Sequence, residues 1–104
     1  MSYSFRVSDS LNVPNRGHLL RLKLLEGSPR LKELKRGRRL LVTGPRGESA
    51  HVVVLGHATM GGRPTDARLE RTRELDVVIP AAQAFVDGHR IEIGWTVAPA
   101  RNDG

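Results

Sequence analysis

From Gly17 to Gly27 the chain reads Gly-His-Leu-Leu-Arg-Leu-Lys-Leu-Leu-Glu-Gly, and its centre alternates strictly between apolar and charged residues. Leu20, Leu22 and Leu24 face one way and Arg21 and Lys23 the other, with Leu19 and Leu25 at the ends of the polar face. A period of two lines up one face of a strand, whereas a helix would scatter the same residues around its circumference. Leucine is not a strong strand former, but the alternation and the flanking Gly17 and Gly27 outweigh its preference. A strand of this kind needs paired neighbours and a cover for its leucine face, so the rest of the chain must supply a sheet.

Candidate neighbours recur along the sequence. Tyr3, Phe5 and Val7 alternate over a short first strand, and Asp9 to Asn15 then reads as a loop, since Pro14 lacks a ladder donor. Gly17 closes that loop, taking a positive φ that Arg16 would resist. A third strand spans Arg38 to Thr43, and Gly44-Pro45-Arg46-Gly47 forms a turn. A long fourth strand runs from Ser49 to Ala58, where the run Val52-Val53-Val54-Leu55 predicts burial on both faces and the centre of the core. Leu75 to Ile79, ended by Pro80, is a fifth. The sixth is Arg90 to Val97, with Ile91, Ile93 and Trp95 on one face after a tight Asp87-Gly88 turn.

Two stretches break the pattern. "SPRLKELKRG", Ser28 to Gly37, predicts a short helical turn over 28–36, with Ser28 as N-cap, Pro29 in the first helical position and Gly37 as the stop. Thr59 to Thr65 reads as an irregular loop, and Asp66 to Arg73 as either a frayed helix or an extended excursion. At 104 residues one domain is the default. The expected fold is all-β: a small closed or partly open β-barrel of six to seven mainly antiparallel strands with one short helical turn, since closure hides sheet edges. Residues 1–98 would form the barrel and 99–104 a flexible C-terminal tail.

Several of these residues carry a family pattern. Phe5, Val7 and Asp9 match an opening Phe-x-Val-x-Asp strand. Val13-Pro14 with Arg16-Gly17 is similar to an Ile-x-Gly-Arg-Gly loop, and Leu19-Leu20 and the strand closing at Glu26-Gly27 keep a similar spacing. Leu34-Lys35-x-Gly37, followed by Leu40, Val42 and Gly44, is similar to an Ile-Lys-x-Gly-Asp turn and the strand after it. Together they resemble the second domain of translational GTPases, the β-barrel that follows the nucleotide-binding domain in elongation factor Tu. The match spans about two fifths of the chain. Leu22 stands where that family commonly has Gly, Arg38 replaces an acidic residue, and Ser28 to Glu33 looks like an insertion. No Gly-x-x-x-x-Gly-Lys-Ser/Thr is present, so nucleotide hydrolysis does not carry over. The resemblance implies a detached barrel module with a binding role, in a family whose barrel contacts tRNA or ribosomal RNA.

Charge points to the same partner class. Seventeen Lys and Arg against eleven Asp and Glu leave a net charge of +6, which favours polyanions, although a merely basic domain is the plainer reading. Arg30, Lys32, Lys35, Arg36, Arg38 and Arg39 fall within ten residues, and Arg16 would join them if the fold brings the two loops together. Such a cluster can neutralise phosphates. RNA or the ribosome is therefore one expected partner; an acidic protein, or a separately encoded GTPase, is the alternative. Oligomeric state is left open.

Other chemistries lack support in the sequence. Without cysteine there are no disulfides, thiolate nucleophiles or Cys-based zinc sites. His18, His51, His57 and His89 show no metal-ligand spacing, His51 and His57 being six residues apart on one strand. Glu70 and Glu74, one helical turn apart beside Arg71 and Arg73, read as a solvated face. Ser49 lacks a nucleophile-elbow setting, and Asp76 lies inside a strand. No catalytic, metal or cofactor site is expected. The first residues lack a signal-like apolar run and no stretch reaches membrane-span length, so a cytoplasmic chain without a membrane role is expected.

Overall fold

A computed structural model describes residues 2–58 and 64–100. Among these residues, Ser4–Val13 (β1) and Gly17–Glu26 (β2) form an antiparallel hairpin of two ten-residue strands. Arg39–Thr43 (β3) pairs with Ser49–Val53 (β4), and Gly56–His57 (β5) is a two-residue strand. The α-helix Asp66–Thr72 (α1) precedes Glu74–Ile79 (β6). Phe85–Val86 (β7) and His89–Arg90 (β8) form a small separate ladder, and Thr96–Pro99 (β9) returns between β3 and β1. The main sheet has seven strands in the order β4-β3-β9-β1-β2-β6-β5.

This sheet is open, which corrects the expected closed or partly open barrel and, with it, the resemblance to the elongation factor Tu barrel. Among the described residues, no ladder joins the outermost strands β4 and β5. They are successive pieces of one segment, separated only by Val54 and Leu55. The edges are protected in another way. The outward amide of Val53 donates to Oε1 of Gln83 at 2.8 Å, from the 3-10 turn Ala81–Ala84, and β5 is too short to template a further strand. Cover from a neighbouring turn replaces closure.

Other expectations change for local reasons. β1 runs on through Asp9–Val13 because these residues pair with Gly17–Arg21 to the tip of the hairpin. In the connecting turn the Arg16 amide donates to the Val13 carbonyl at 3.0 Å and Asn15 has φ 66°, the type II combination with Pro14 at its first corner. The long fourth strand divides at Val54–Leu55. There Val52 and Val54 are buried while Val53 and Leu55 are partly exposed, so only one face is covered. Ile93 is 62% exposed; a turn in which the Trp95 amide donates to the Glu92 carbonyl, with Gly94 at φ 100°, throws it off the face shared by Ile91 and Trp95. The helical turn near 28–36 is a 3-10 turn at Leu31–Leu34. Asp66–Thr72 is helical, capped by the Thr65 hydroxyl accepting from the Arg68 amide at 3.0 Å. Pro99 pairs opposite Leu40 within β9, and residues 101–104 lie outside the described residues, as does most of the expected Thr59–Thr65 loop.

The core lies on the inner face of the main sheet. Tyr3, Phe5 and Val7 meet Leu20, Leu22 and Leu24, Leu40 and Val42, and Leu75, Val77 and Ile79, with Leu34, Leu69 and Trp95 packed in from the connections. Phe5 is fully buried and meets the Tyr3 ring edge-on with centroids 5.6 Å apart. Burial, reinforced by Glu33 and opposed by Arg38, pushes the Tyr3 hydroxyl up to about 12. An unfolded tyrosine ionises near about 10, so the native state holds its proton through the interval. The contribution to stability is complete below about pH 10 and is lost as pH rises towards about 12. Tyr3 is the chain's one tyrosine. Phenolate absorbance in an alkaline titration should therefore show a midpoint near 12; ionisation near the ordinary tyrosine value would contradict its burial.

Candidate nucleic-acid interface

The basic segment is held firmly at its backbone and left free at its side chains. Pro29 and Leu34 are buried, and Leu34 is fully so. The Leu31 amide donates to Oδ1 of Asp66 at 2.7 Å, so α1 rather than Ser28 caps the turn. Oε2 of Glu33 accepts from the Arg30 amide at 2.9 Å. Nε2 of His57 donates to the Leu34 carbonyl at 2.9 Å, which fixes that imidazole's tautomer. Beyond the turn the Gly37 amide donates to the Val54 carbonyl at 2.8 Å, and the Val54 amide to the Arg38 carbonyl at 2.9 Å. Gly37 takes φ 92° between these bonds, a conformation glycine adopts without Cβ strain.

From this frame Arg30, Lys32, Lys35, Arg36, Arg38 and Arg39 all extend into solvent. Arg30 lies 4.0 Å from Oδ2 of Asp66, a loose and exposed pair. Among the described residues Lys32, Lys35, Arg36, Arg38 and Arg39 have no ion-pair partner within 4.0 Å. Glu33 is the one carboxylate inside the segment, and it is occupied by the Arg30 amide.

Arg16 does not join them. It sits in the tip of the β1–β2 hairpin, whereas the basic segment begins beyond the other end of β2. Ten residues of strand separate the two by about 30 Å along the chain. The loop that resembled a family motif is thus remote from the cluster.

The remaining polar groups are absorbed by structure. Arg21, 3.0 Å and 3.2 Å from the two oxygens of Asp76, forms a bidentate cross-strand pair. Oε1 of Glu48 accepts from the Arg46 amide at 2.7 Å. Burial opposes its charge, but bonds from the Glu48 and Arg46 amides, with His89 and the Arg46 guanidinium nearby, hold its carboxyl below the ordinary value. His51 lies on β4 and His57 on β5, so the strand they were expected to share is interrupted. Glu70 belongs to α1 and Glu74 to β6.

One pairing was not visible in the sequence. Ser10 Oγ lies 2.6 Å from Nε2 of the buried His18 and 2.6 Å from the Ile91 carbonyl. The hydroxyl proton goes to the carbonyl, which can only accept, so His18 Nε2 donates to Ser10 Oγ. Burial, with Arg90 nearby, pushes the His18 pKa down. The ring thus ties β2 to Ser10 on β1 and leaves no basic nitrogen facing the serine, while the Ser10 hydroxyl fastens β1 to the segment before β9. Only the hairpin register, which places Ser10 beside Leu20, reveals this contact.

A depression of about 280 Å³ between Ser28–Arg30 and α1 is lined by Arg30 and Arg73 but also by Asp66 and Glu70. Its mixed charge selects no ligand sign. Among the described residues, no helix is long and apolar enough to cross a membrane. Compared with protein-family models, curated proteins and solved structures, the chain matches none.

Proposed function

We propose that the chain is a cytoplasmic, non-catalytic binding module that contacts RNA through the basic segment Arg30–Arg39. The observation that carries this reading is the set Lys32, Lys35, Arg36, Arg38 and Arg39, exposed on a fixed backbone without ion pairs among the described residues. Unneutralised cations held close together repel one another, and a phosphate backbone relieves that repulsion while releasing its own counterions. Pre-ordering of the backbone reduces the entropy lost on binding.

Binding to a labelled single-stranded RNA of mixed sequence, titrated against salt, tests the proposal. The charge reversal K35E/R36E/R39E should weaken binding on the order of a hundredfold or more and flatten the salt dependence, with the far-ultraviolet dichroism unchanged. An unreduced affinity in that variant would overturn the reading. Equal affinity of the native chain for an acidic polypeptide such as polyglutamate would point instead to an acidic protein partner.

A further inference from the structure

The open face of the main sheet carries a second set of cations that the basic segment does not explain. Strand register places Arg6 opposite Thr96 on one side and opposite Lys23 on the other. Two exposed cations thus stand directly across from each other, an arrangement that destabilises a sheet when nothing intervenes. Neither makes an ion pair within 4.0 Å among the described residues. Glu74, the register neighbour of Lys23 on β6, flanks the pair without such a contact.

The same face leads back to the basic segment. Thr96 is paired with Thr43, and Arg39 lies four residues before Thr43 on the same side of β3, since Leu40 and Val42 point into the core. Three strand spacings and four residue rises put Arg39 about 20 Å from Lys23, with Arg6 between them. The intervening positions on this face are the hydroxyl residues Thr43 and Thr96 and the apolar pair Leu41 and Ala98, none of which carries a charge. The next rung, Asp9–Arg21–Asp76, carries two carboxylates and bounds the cationic line on that side. Tyr3, Phe5 and Trp95 are buried, and the exposed Phe85 belongs to the separate β7–β8 ladder, so this face offers no base-stacking platform.

The geometry points to a phosphate track, Arg39–Arg6–Lys23, that extends the basic segment across the sheet and binds the sugar–phosphate backbone of a nucleic acid without reading its bases. It rests on the proposed RNA contact and adds Arg6 and Lys23 as binding residues. The like-charged rung is the cost of this track in the free protein, and a bound phosphate between the two side chains offsets it.

The double variant R6Q/K23Q tests the track, with single-stranded RNA, duplex RNA and duplex DNA as probes. On single-stranded RNA the slope of log affinity against log salt should fall by about 1.4 and the affinity about tenfold. The same loss across probe sequences is expected of a backbone contact, and the three probes show which backbone is preferred. The free variant should melt about 1–5 °C higher at low salt, because the repulsion is gone. An unchanged slope in R6Q/K23Q while K35E/R36E/R39E loses binding overturns the track and leaves the basic segment standing. A variant that binds weakly but also melts earlier assigns the loss to a damaged fold and overturns it too. A native chain that binds none of the three probes overturns both readings.

Discussion

Gly17→Ala is expected to lower the melting temperature by about 10–30 °C, corresponding to roughly 2–6 kcal/mol. Gly17 has φ 130°, and an added Cβ would lie 2.4 Å from the Ile79 carbonyl oxygen. That oxygen belongs to β6, whose Ile79 is paired opposite His18, so the obstacle is ladder backbone rather than the end of a flexible side chain. Backbone strain of about 1–3 kcal/mol then adds to overpacking of about 1–3 kcal/mol, against a total stability of about 5–15 kcal/mol for a domain of this kind. Gly47→Ala provides the control. Gly47 has φ 89° but open space around its Cβ position, so it should lose only the strain, about 1–3 kcal/mol. Thermal melts of the two variants decide the matter: equal losses would show that close approach to β6 contributes nothing.

Part of this was readable from residue types. Pro14 and Asn15 mark a turn, and a glycine after Arg16 marks the end of it, since each acts through its own allowed φ range. Leu20, Leu22 and Leu24 fall on the buried face as their alternation requires. What escaped depends on partners. Nothing in Asp9–Val13 announces a strand, because its pairing is set by β2 and not by its own apolar content. The separation of Arg16 from the basic segment follows from the full length of that hairpin. The need to hide edges argues for closure, but Gln83 meets that need at Val53 from thirty residues away. The exposed cations of 30–39 were legible because charge runs rarely bury. The Arg6–Lys23 rung was not, because a one-residue change of register would separate its members.

Leu34→Ala should remove about 2–5 kcal/mol and lower the melting temperature by about 10–25 °C, and it should also reach the proposed interface. Leu34 is fully buried and is the side chain by which the 3-10 turn Leu31–Leu34 enters the core. Its carbonyl takes the His57 hydrogen bond, so loss of the side chain loosens the turn's core anchor and the bond beside it, while the Leu31–Asp66 bond remains. The cations of the segment remain present in the variant, and long-range attraction to RNA is therefore retained. What changes is the order of the backbone that presents them: a loosened segment must be ordered on binding, which costs affinity without removing phosphate contacts. At a temperature where the variant is still folded, RNA affinity should thus fall severalfold while the salt slope stays at its native value. K35E/R36E/R39E should behave in the opposite way, flattening the slope while the melting temperature holds. Leu25→Ala, at a position 47% exposed at the end of the neighbouring strand, should change stability by less than about 0.5 kcal/mol and leave binding intact. If Leu34→Ala melted with the native chain, or flattened the salt slope as charge reversal does, the segment would not be a fixed frame carrying free cations, and the account of its binding through pre-ordering would fall.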